Sequence, residues 1–277
     1  MRSALIVGGN GLIGSALTQA LCGFGIRVAF TSKINNPPGI FLDLSLPLNL
    51  ESLPTVDVVY LCAAISRFED CEKVPLLARR VNVTAQLELA EYFFRRGSHV
   101  IFLSTNAVFD GMGVASAEDE VVNPVSFYGK LKADAEHKLS NLAYRYAGAL
   151  AICRFTKVFS IDSPIIVDWI KKIKDGSEVE ALVDRTISPI SLCFAVQGLV
   201  QCGISKITGK LHFSGREEFS YFHFAKALAR SYGASQTNIS PVFSKTPYRG
   251  NRLAMNHTEK IMGIQAQTLD SVLDHLR

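Results

Sequence analysis

Two rhythms of apolar residues run along this chain: short strand-length runs, and longer stretches in which apolar residues recur every three or four positions. Ala4-Leu5-Ile6-Val7 is the first run, and Leu12, Ile13, Ala16, Leu17, Ala20 and Leu21 follow at helical spacing. Further strand-type runs are Ile26–Phe30, Ile40–Leu42 and Val56–Cys62, each bounded by Gly, Pro, Asn or Ser. The pattern then predicts a long helix from about Val74 to Arg96, a strand over His99–Ser104, a helix from Tyr128 to about Tyr146 and a strand over Leu150–Arg154. Strand and helix in alternation predict an α/β chain of Rossmann type, a doubly wound parallel sheet that binds ligands outside the carboxyl ends of its strands. Past Lys157 the alternation loosens. Helical stretches are predicted near 164–174, 190–204 and 219–232, a strand over Lys210–Phe213 and a helix after Thr268. The expected organisation is a dinucleotide-binding domain over 1–157 and a smaller substrate-binding region over 158–277, interleaved with the core.

Composition changes this picture little. The 277 residues, 48% of them hydrophobic, suffice for a large buried core. A net charge of +4 is mild, and Arg79-Arg80, Arg95-Arg96 and Lys171-Lys172 are isolated pairs that read as solvated helix faces, which argues against a nucleic-acid binder. The six cysteines show no C-x-x-C pair and several lie in apolar runs, so they read as reduced core residues. No apolar stretch reaches the roughly 18 residues of a membrane span. The expectation is a soluble, cytoplasmic protein with no membrane partner. No metal-ligand spacing occurs, and His212 and His223 read as structural.

Candidate chemistry lies in two motifs. Between the first strand and helix stands Gly8-Gly9-Asn10-Gly11-Leu12-Ile13-Gly14, whose glycines let backbone approach a pyrophosphate while the helix N-terminus offers free N–H groups. A turn that merely closes a βα unit is the bland alternative. Tyr128 and Lys132 stand four residues apart, on one helical face, so that the lysine ammonium can favour the ionised phenol and make it a usable acid. This spacing is weak alone. Its place after the glycine turn gives it weight.

Taken together, these residues resemble the extended short-chain dehydrogenase/reductases, and among them the sugar-nucleotide reductases typified by dTDP-4-dehydrorhamnose reductase. The resemblance spans nearly the whole chain. It rests on Gly8, Gly11 and Gly14, Cys62-Ala63-Ala64 at a strand end, Asn82, Ser104-Thr105-Asn106-Ala107-Val108-Phe109-Asp110-Gly111, Tyr128 and Lys132. Arg154 closing a strand, Asp184-Arg185 with Ser188-Pro189, and Leu211-His212-Phe213-Ser214-Gly215 add to it. It implies that Thr105 hydrogen-bonds a substrate carbonyl, Tyr128 protonates its oxygen, and Lys132 binds the nicotinamide ribose and stabilises the tyrosinate. The cofactor would lie along Gly8, Asn10, Gly11, Leu12, Ile13 and Gly14, against Cys62, Ala63 and Ala64, with Asp43-Leu44 at the adenine. Asn82 would support the site from its helix, or be a polar residue satisfied by backbone.

The second strand ends in Thr31-Ser32-Lys33 and lacks the acidic residue that binds a ribose 2′-hydroxyl. Ser32 and Lys33 suit a 2′-phosphate, so NADP(H) is expected; a solvated lysine is the alternative. At the sugar the chain departs from the family. Asn106-Ala107 replaces Asp-Tyr, and Lys157 replaces an aromatic residue, which puts the sugar in doubt and suggests an acidic or acetamido group near a buried Lys157. The resemblance implies an NADPH-dependent reductase of a 4-keto-6-deoxy sugar nucleotide in surface polysaccharide synthesis. Alternatives are an epimerase, or an NADP-binding regulatory subunit resembling the methionine adenosyltransferase β-subunit. A homodimer is compatible with either.

Overall fold

The structure is a computed structural model and describes residues 1–35, 37–112, 115–244 and 252–277. In chain order its first half forms β1 (Ser3–Val7), α1 (Leu12–Gly23), β2 (Arg27–Ser32), β3 (Ile40–Phe41), β4 (Val58–Leu61), α2 (Phe68–Lys73), α3 (Pro75–Arg79), a π-helical turn (Arg80–Thr84) and α4 (Ala85–Phe94). There follow β5 (His99–Thr105), a 3₁₀ turn (Asn106–Val108), α5 (Phe127–Tyr146), β6 (Leu150–Phe155), β7 (Lys157–Phe159), α6 (Pro164–Asp175) and β8 (Val179–Leu182). The rest comprises β9 (Thr186–Ile187), β10 (Pro189–Ser191), α7 (Leu192–Ile204), β11 (Gly209–Phe213), β12 (Phe219–Ser220), α8 (Tyr221–Ser231), β13 (Ile239–Val242), α9 (Asn256–Met262) and α10 (Leu269–Asp274).

Seven strands form one sheet in the order β11-β6-β5-β4-β1-β2-β3, with the β1–β2, β1–β4, β2–β3 and β4–β5 pairs parallel. This is the doubly wound order expected of the alternating pattern. The strand order reverses between β1 and β4, which makes their carboxyl ends the switch point where such sheets take ligands. Ala4 to Val7 and Val58 to Leu61 are buried throughout, as central parallel strands must be. Each Val, Leu or Ile so buried contributes about 1.5–3 kcal/mol.

Contacts divide the chain into two compact units: 1–108, 121–154 and 196–211 form the first, and 109–120, 155–195 and 212–277 the second. The chain thus passes between units repeatedly. The first contains the glycine turn, Thr105, Tyr128 and Lys132, and its core joins β1, β4 and β5 to α4 and α5. Part of α7 belongs to it: the Tyr60 hydroxyl donates to the Leu199 carbonyl at 3.3 Å, and a Cβ on Gly203 would lie 1.9 Å from that hydroxyl. In the second unit Trp169 is buried among Phe159, Phe224, Leu228 and Val272, a core residue. His212 gives its ring Nδ1 to the Ala254 carbonyl at 2.8 Å and His223 pairs with the α8 cap Ser220 at 2.8 Å, both structural as expected.

The predicted helix over 74–96 is built in pieces, and α2 precedes it where no helix was expected. Pro75 lacks an amide hydrogen and starts α3 afresh, and the wide turn at 80–84 then reorients the chain. Of the cysteines expected in the core, Cys22 is exposed on α1. No helix among the described residues is long and apolar enough to cross a membrane.

His99 begins β5 at the opposite end of the sheet from the glycine turn. It is buried, neither ring nitrogen makes a well-formed hydrogen bond, and burial pushes its pKa down to about 4. Below the unfolded value near 6.5 the unfolded chain binds a proton that the native state refuses. Stability from this group is therefore complete above that pH and is lost as pH falls towards 4. Urea unfolding at about pH 7 and pH 4.5 should show wild type losing about 2–3 kcal/mol more than His99→Gln. Equal losses would refute the assignment.

Candidate active site

The glycine turn folds because three positions leave no room for a side chain. Gly8 has φ +88°, and a Cβ there would meet Ala63 Cβ at 2.8 Å. Cβ atoms on Gly9 and Gly14 would lie 2.5 Å from Phe30 Cβ and 2.3 Å from the Gly8 carbonyl oxygen. The Gly8 amide donates to Thr31 Oγ1 at 3.2 Å and the Gly9 amide to the Thr31 carbonyl at 2.9 Å, which ties the turn to β2. Gly11 caps α1 without a side-chain hydrogen bond, so the first amides of this 12-residue helix are available to an anion. Leu12 is exposed at this mouth, Asn10 and Gly11 are exposed, and Ile13 is half-buried.

Across the switch point, the Cys62 and Ala63 amides donate to the Val7 carbonyl at 3.0 and 2.9 Å, which fixes the end of β4 beside the turn. Ala63 is half-buried and Ala64 exposed. Burial pushes the Cys62 thiol up to about 12, with the nearby Lys132 opposing. Asn82 bonds to backbone. Fully buried in the π-turn, it accepts from the Ile65 amide at 2.9 Å and donates to the Ile65 carbonyl at 2.8 Å, so it pins the segment that follows β4. Gln86, one turn on, holds the Ala63 carbonyl at 3.0 Å.

At the end of β2, Ser32 is buried and its Oγ accepts from Asn10 Nδ2 at 2.7 Å and from the Ile34 amide at 3.0 Å. Its oxygen thus helps to shape the turn by accepting both bonds, which leave the hydroxyl proton uncommitted. Lys33 is exposed and makes no hydrogen bond or ion pair among the described residues. Asp43 Oδ1 accepts from the Ser45 hydroxyl at 2.6 Å and amide at 2.8 Å; those bonds, with the Lys33 charge as a smaller cause, lower its pKa. Leu44, expected beside it at the adenine, is buried in the core cluster.

The predicted acid and its lysine lie at the start of α5. Ser126 caps the helix by accepting from the Gly129 amide at 3.1 Å, and the Tyr128 ring packs at 5.6 Å from that of Phe68. A Cβ on Gly129 would lie 2.0 Å from the Ala107 carbonyl oxygen, so the first turn of α5 sits directly on the turn that follows Thr105. Thr105 is half-buried; its Oγ1 accepts from the Ala107 amide at 3.1 Å and donates to Asn106 Oδ1 at 3.3 Å. Thr105, Asn106, Ala107 and Tyr128 are thereby brought together. Lys132 is 3% exposed, its Nζ 3.9 Å from the centre of the Phe102 ring. Burial pushes its ammonium down to about 7, and the Glu136 carboxylate opposes this.

Glu136 was not singled out in the sequence. It is buried one turn beyond Lys132, where a Lys-x-x-x-Glu spacing looks like any solvated helix pair. The available signal was Arg154, already noted at the end of a strand and here paired with Glu136 at 2.7 Å. Lys157 belongs to the second unit, on β7. The residue is exposed overall, with Nζ 5.5 Å from the Phe159 ring centre and no ion pair among the described residues, yet burial of its ammonium lowers its pKa.

The sequence model of the family described as "RmlD substrate binding domain" matches residues 1–272. Methionine adenosyltransferase 2 subunit beta of Danio rerio is 22% identical over 278 residues, covering 92% of this chain and 81% of that protein. A protein named probable low-salt glycan biosynthesis reductase Agl14, from Haloferax volcanii, is 27% identical over 254 residues, covering 85% and 82%. Among solved structures, dTDP-4-dehydrorhamnose reductase from Bacillus anthracis in complex with NADP superposes with a TM-score of 0.86 at 20% identity, covering 99% of this chain and 97% of that one.

Proposed function

The chain belongs to the RmlD substrate binding domain family, and from that premise we propose that it is an NADPH-dependent reductase of a 4-keto-6-deoxy sugar nucleotide, acting in nucleotide-sugar or surface polysaccharide synthesis. The observation that carries this reading is Tyr128 one turn before a buried Lys132 on α5, whose first turn packs through Gly129 on Ala107, itself hydrogen-bonded to Thr105, in the same unit as the glycine turn.

The residues present suit a dinucleotide. Gly8 and Gly14 admit no Cβ, and the open first turn of α1 offers amides to a pyrophosphate. Gly8, Asn10, Gly11, Leu12, Ile13 and Gly14 would hold the diphosphate region, and Cys62, Ala63 and Ala64 the side across the switch point. Asp43 would lie near the adenine, and Lys132 would bind the ribose. Asn82 contributes by fixing the segment at Ile65. When bound, NADPH supplies the hydride that reduces the carbonyl carbon. Thr105 then orients the carbonyl oxygen by a hydrogen bond, and the Tyr128 hydroxyl transfers its proton to that oxygen. Lys132, in its ammonium form, stabilises the phenolate left behind. Asn106 and Ala107 adjoin the reacting carbonyl, and Lys157 is proposed to contact the sugar nucleotide.

Assay of NADPH oxidation with a panel of 4-keto sugar nucleotides tests the proposal; oxidation of none of them overturns it. A second reading, a non-catalytic NADP-binding regulatory subunit, draws on the similarity to methionine adenosyltransferase 2 subunit beta. A tightly retained NAD(H) recycled in place would instead favour an epimerase.

Cofactor choice gives a separate prediction. Ser32, whose oxygen accepts from Asn10 and Ile34 and whose hydroxyl proton those bonds leave free to donate, and Lys33 are the proposed partners of a 2′-phosphate, with Lys33 supplying the charge. Because it is exposed, its contact should lie at the low end of the charge-assisted range, about 1.5 kcal/mol. Titration calorimetry of Lys33→Ala should show NADPH affinity reduced roughly tenfold and NADH affinity unchanged. Equal affinity of wild type for the two dinucleotides would refute the 2′-phosphate assignment.

A further inference from the structure

Ser104, Glu136 and Arg154 form a buried cluster that the reductase reading leaves without a role. Glu136 and Arg154 side chains are 4% and 0% exposed. Arg154 donates from Nη2 to Oε2 at 2.7 Å and from Nε to both carboxylate oxygens at 3.1 and 3.2 Å, while the Ser104 hydroxyl donates to Oε1 at 2.5 Å. One buried carboxylate therefore binds the carboxyl-terminal parts of β5 and β6 to the middle of α5.

Its position is what gives the cluster a function. Tyr128, Lys132 and Glu136 follow one another at four-residue intervals, so they share one face of α5. Ser104 immediately precedes Thr105, and successive residues of a strand point to opposite faces. One strand end thus presents its threonine to the site and its serine to the clamp. The groups that act on the Lys132 ammonium are Glu136 on its own helix, the Cys62 thiol after β4, the Cys71 thiol on α2 and the Phe102 ring on β5, with Tyr128 one turn before it on α5 and Arg154 of β6 behind Glu136. Burial raises the pKa of both thiols, so they stay neutral. Among these groups Glu136 is the carboxylate.

We propose that Glu136 is a positioning residue for the Tyr128–Lys132 pair: clamped by Arg154 and Ser104, it seats α5 on the ends of β5 and β6 and keeps its carboxylate one helical turn from the Lys132 side chain. The kinetic consequence rests on the reductase reading; the charge state of Lys132 does not.

The test is the pH titration of Lys132 in the full chain, followed by NMR of protein carrying lysine labelled with ¹³C at Cε, its signal assigned by its loss in Lys132→Met. Glu136→Gln combined with Arg154→Met removes both charges and leaves no buried guanidinium unpaired. In this double variant the Lys132 midpoint should fall by about one pH unit, tenfold in proton affinity, as expected for losing a nearby carboxylate. Glu136→Asp, which withdraws the carboxylate by one methylene, should give a midpoint between wild type and the double variant. The alkaline limb of kcat/KM should move in the same direction. A purely structural cluster would lower the melting temperature without moving either midpoint or limb, and that result overturns the proposal. If the double variant does not fold, a Glu136→Asp midpoint equal to wild type overturns it. Because the titration needs neither cofactor nor substrate, a midpoint that falls where no ketone is reduced supports the inference and removes the reductase reading. An unmoved midpoint with normal reduction does the reverse.

Discussion

Replacing Tyr128 with phenylalanine should slow ketone reduction by roughly 10²–10⁴-fold, the contribution of a positioned proton donor. The substitution removes an oxygen and keeps the ring, so the packing against Phe68, at 5.6 Å between centroids, should survive. Cofactor binding should survive as well. The glycine turn is held by Thr31, and the end of β4 by the Val7 carbonyl, neither of which touches the phenol. The measurement pairs NADPH binding by fluorescence with single-turnover oxidation using the best substrate of the panel. A wild-type rate in the mutant would sink the catalytic role. Should the wild type reduce no ketone while a partner enzyme's activity responds to the protein, the regulatory reading takes its place.

What the sequence made legible follows from periodicity. The apolar runs at 4–7, 56–62 and 99–104 are central strands, and their burial on both faces leaves a continuous apolar signal; α5 over 127–146 carries the Tyr-x-x-x-Lys pair on the face its spacing implied. Strands β7, β9, β10 and β12 have two or three residues each, too few for an alternation to register. The division into units was also illegible in detail, because Val196–Leu211 joins the first unit through distant contacts such as that of Tyr60 with Leu199.

Within the site, glycines and the Tyr–Lys spacing could be read because their chemistry is local. Side chains whose meaning depends on direction could not. Ser32 and Lys33 are adjacent, yet the serine turns inward to Asn10 while the lysine is exposed. Asn82 lies where a π-turn changes the helical phase, and it points to Ile65. Leu44 follows Asp43 into the core. Glu136 looks like a surface residue until β6 delivers Arg154 to it.

The same dependence on direction gives Gly129 an effect out of proportion to its size. It lies in the first turn of α5, where alanine would ordinarily favour the helix by about 0.5–1 kcal/mol. Here the added Cβ would stand 2.0 Å from the Ala107 carbonyl oxygen and 3.0 Å from Ser126 Oγ, so helix and turn must separate. The separation reaches the site because Tyr128 precedes Gly129 on one side of the clash, and on the other the Ala107 amide is hydrogen-bonded to Thr105 Oγ1 at 3.1 Å. A displacement of about 1 Å between reacting groups can cost about 10² in rate. Gly129→Ala should therefore lose roughly 10²-fold in kcat, with a stability loss of about 1–3 kcal/mol from overpacking and NADPH affinity close to wild type. Ser126→Ala is the control. It removes the cap hydrogen bond to the Gly129 amide, worth about 1 kcal/mol, without forcing the two segments apart. Comparable stability losses in the two variants with a rate loss in Gly129→Ala alone would place the effect in geometry. A Gly129→Ala enzyme with wild-type kcat would show that the turn after Thr105 can yield without moving the carbonyl it is proposed to orient.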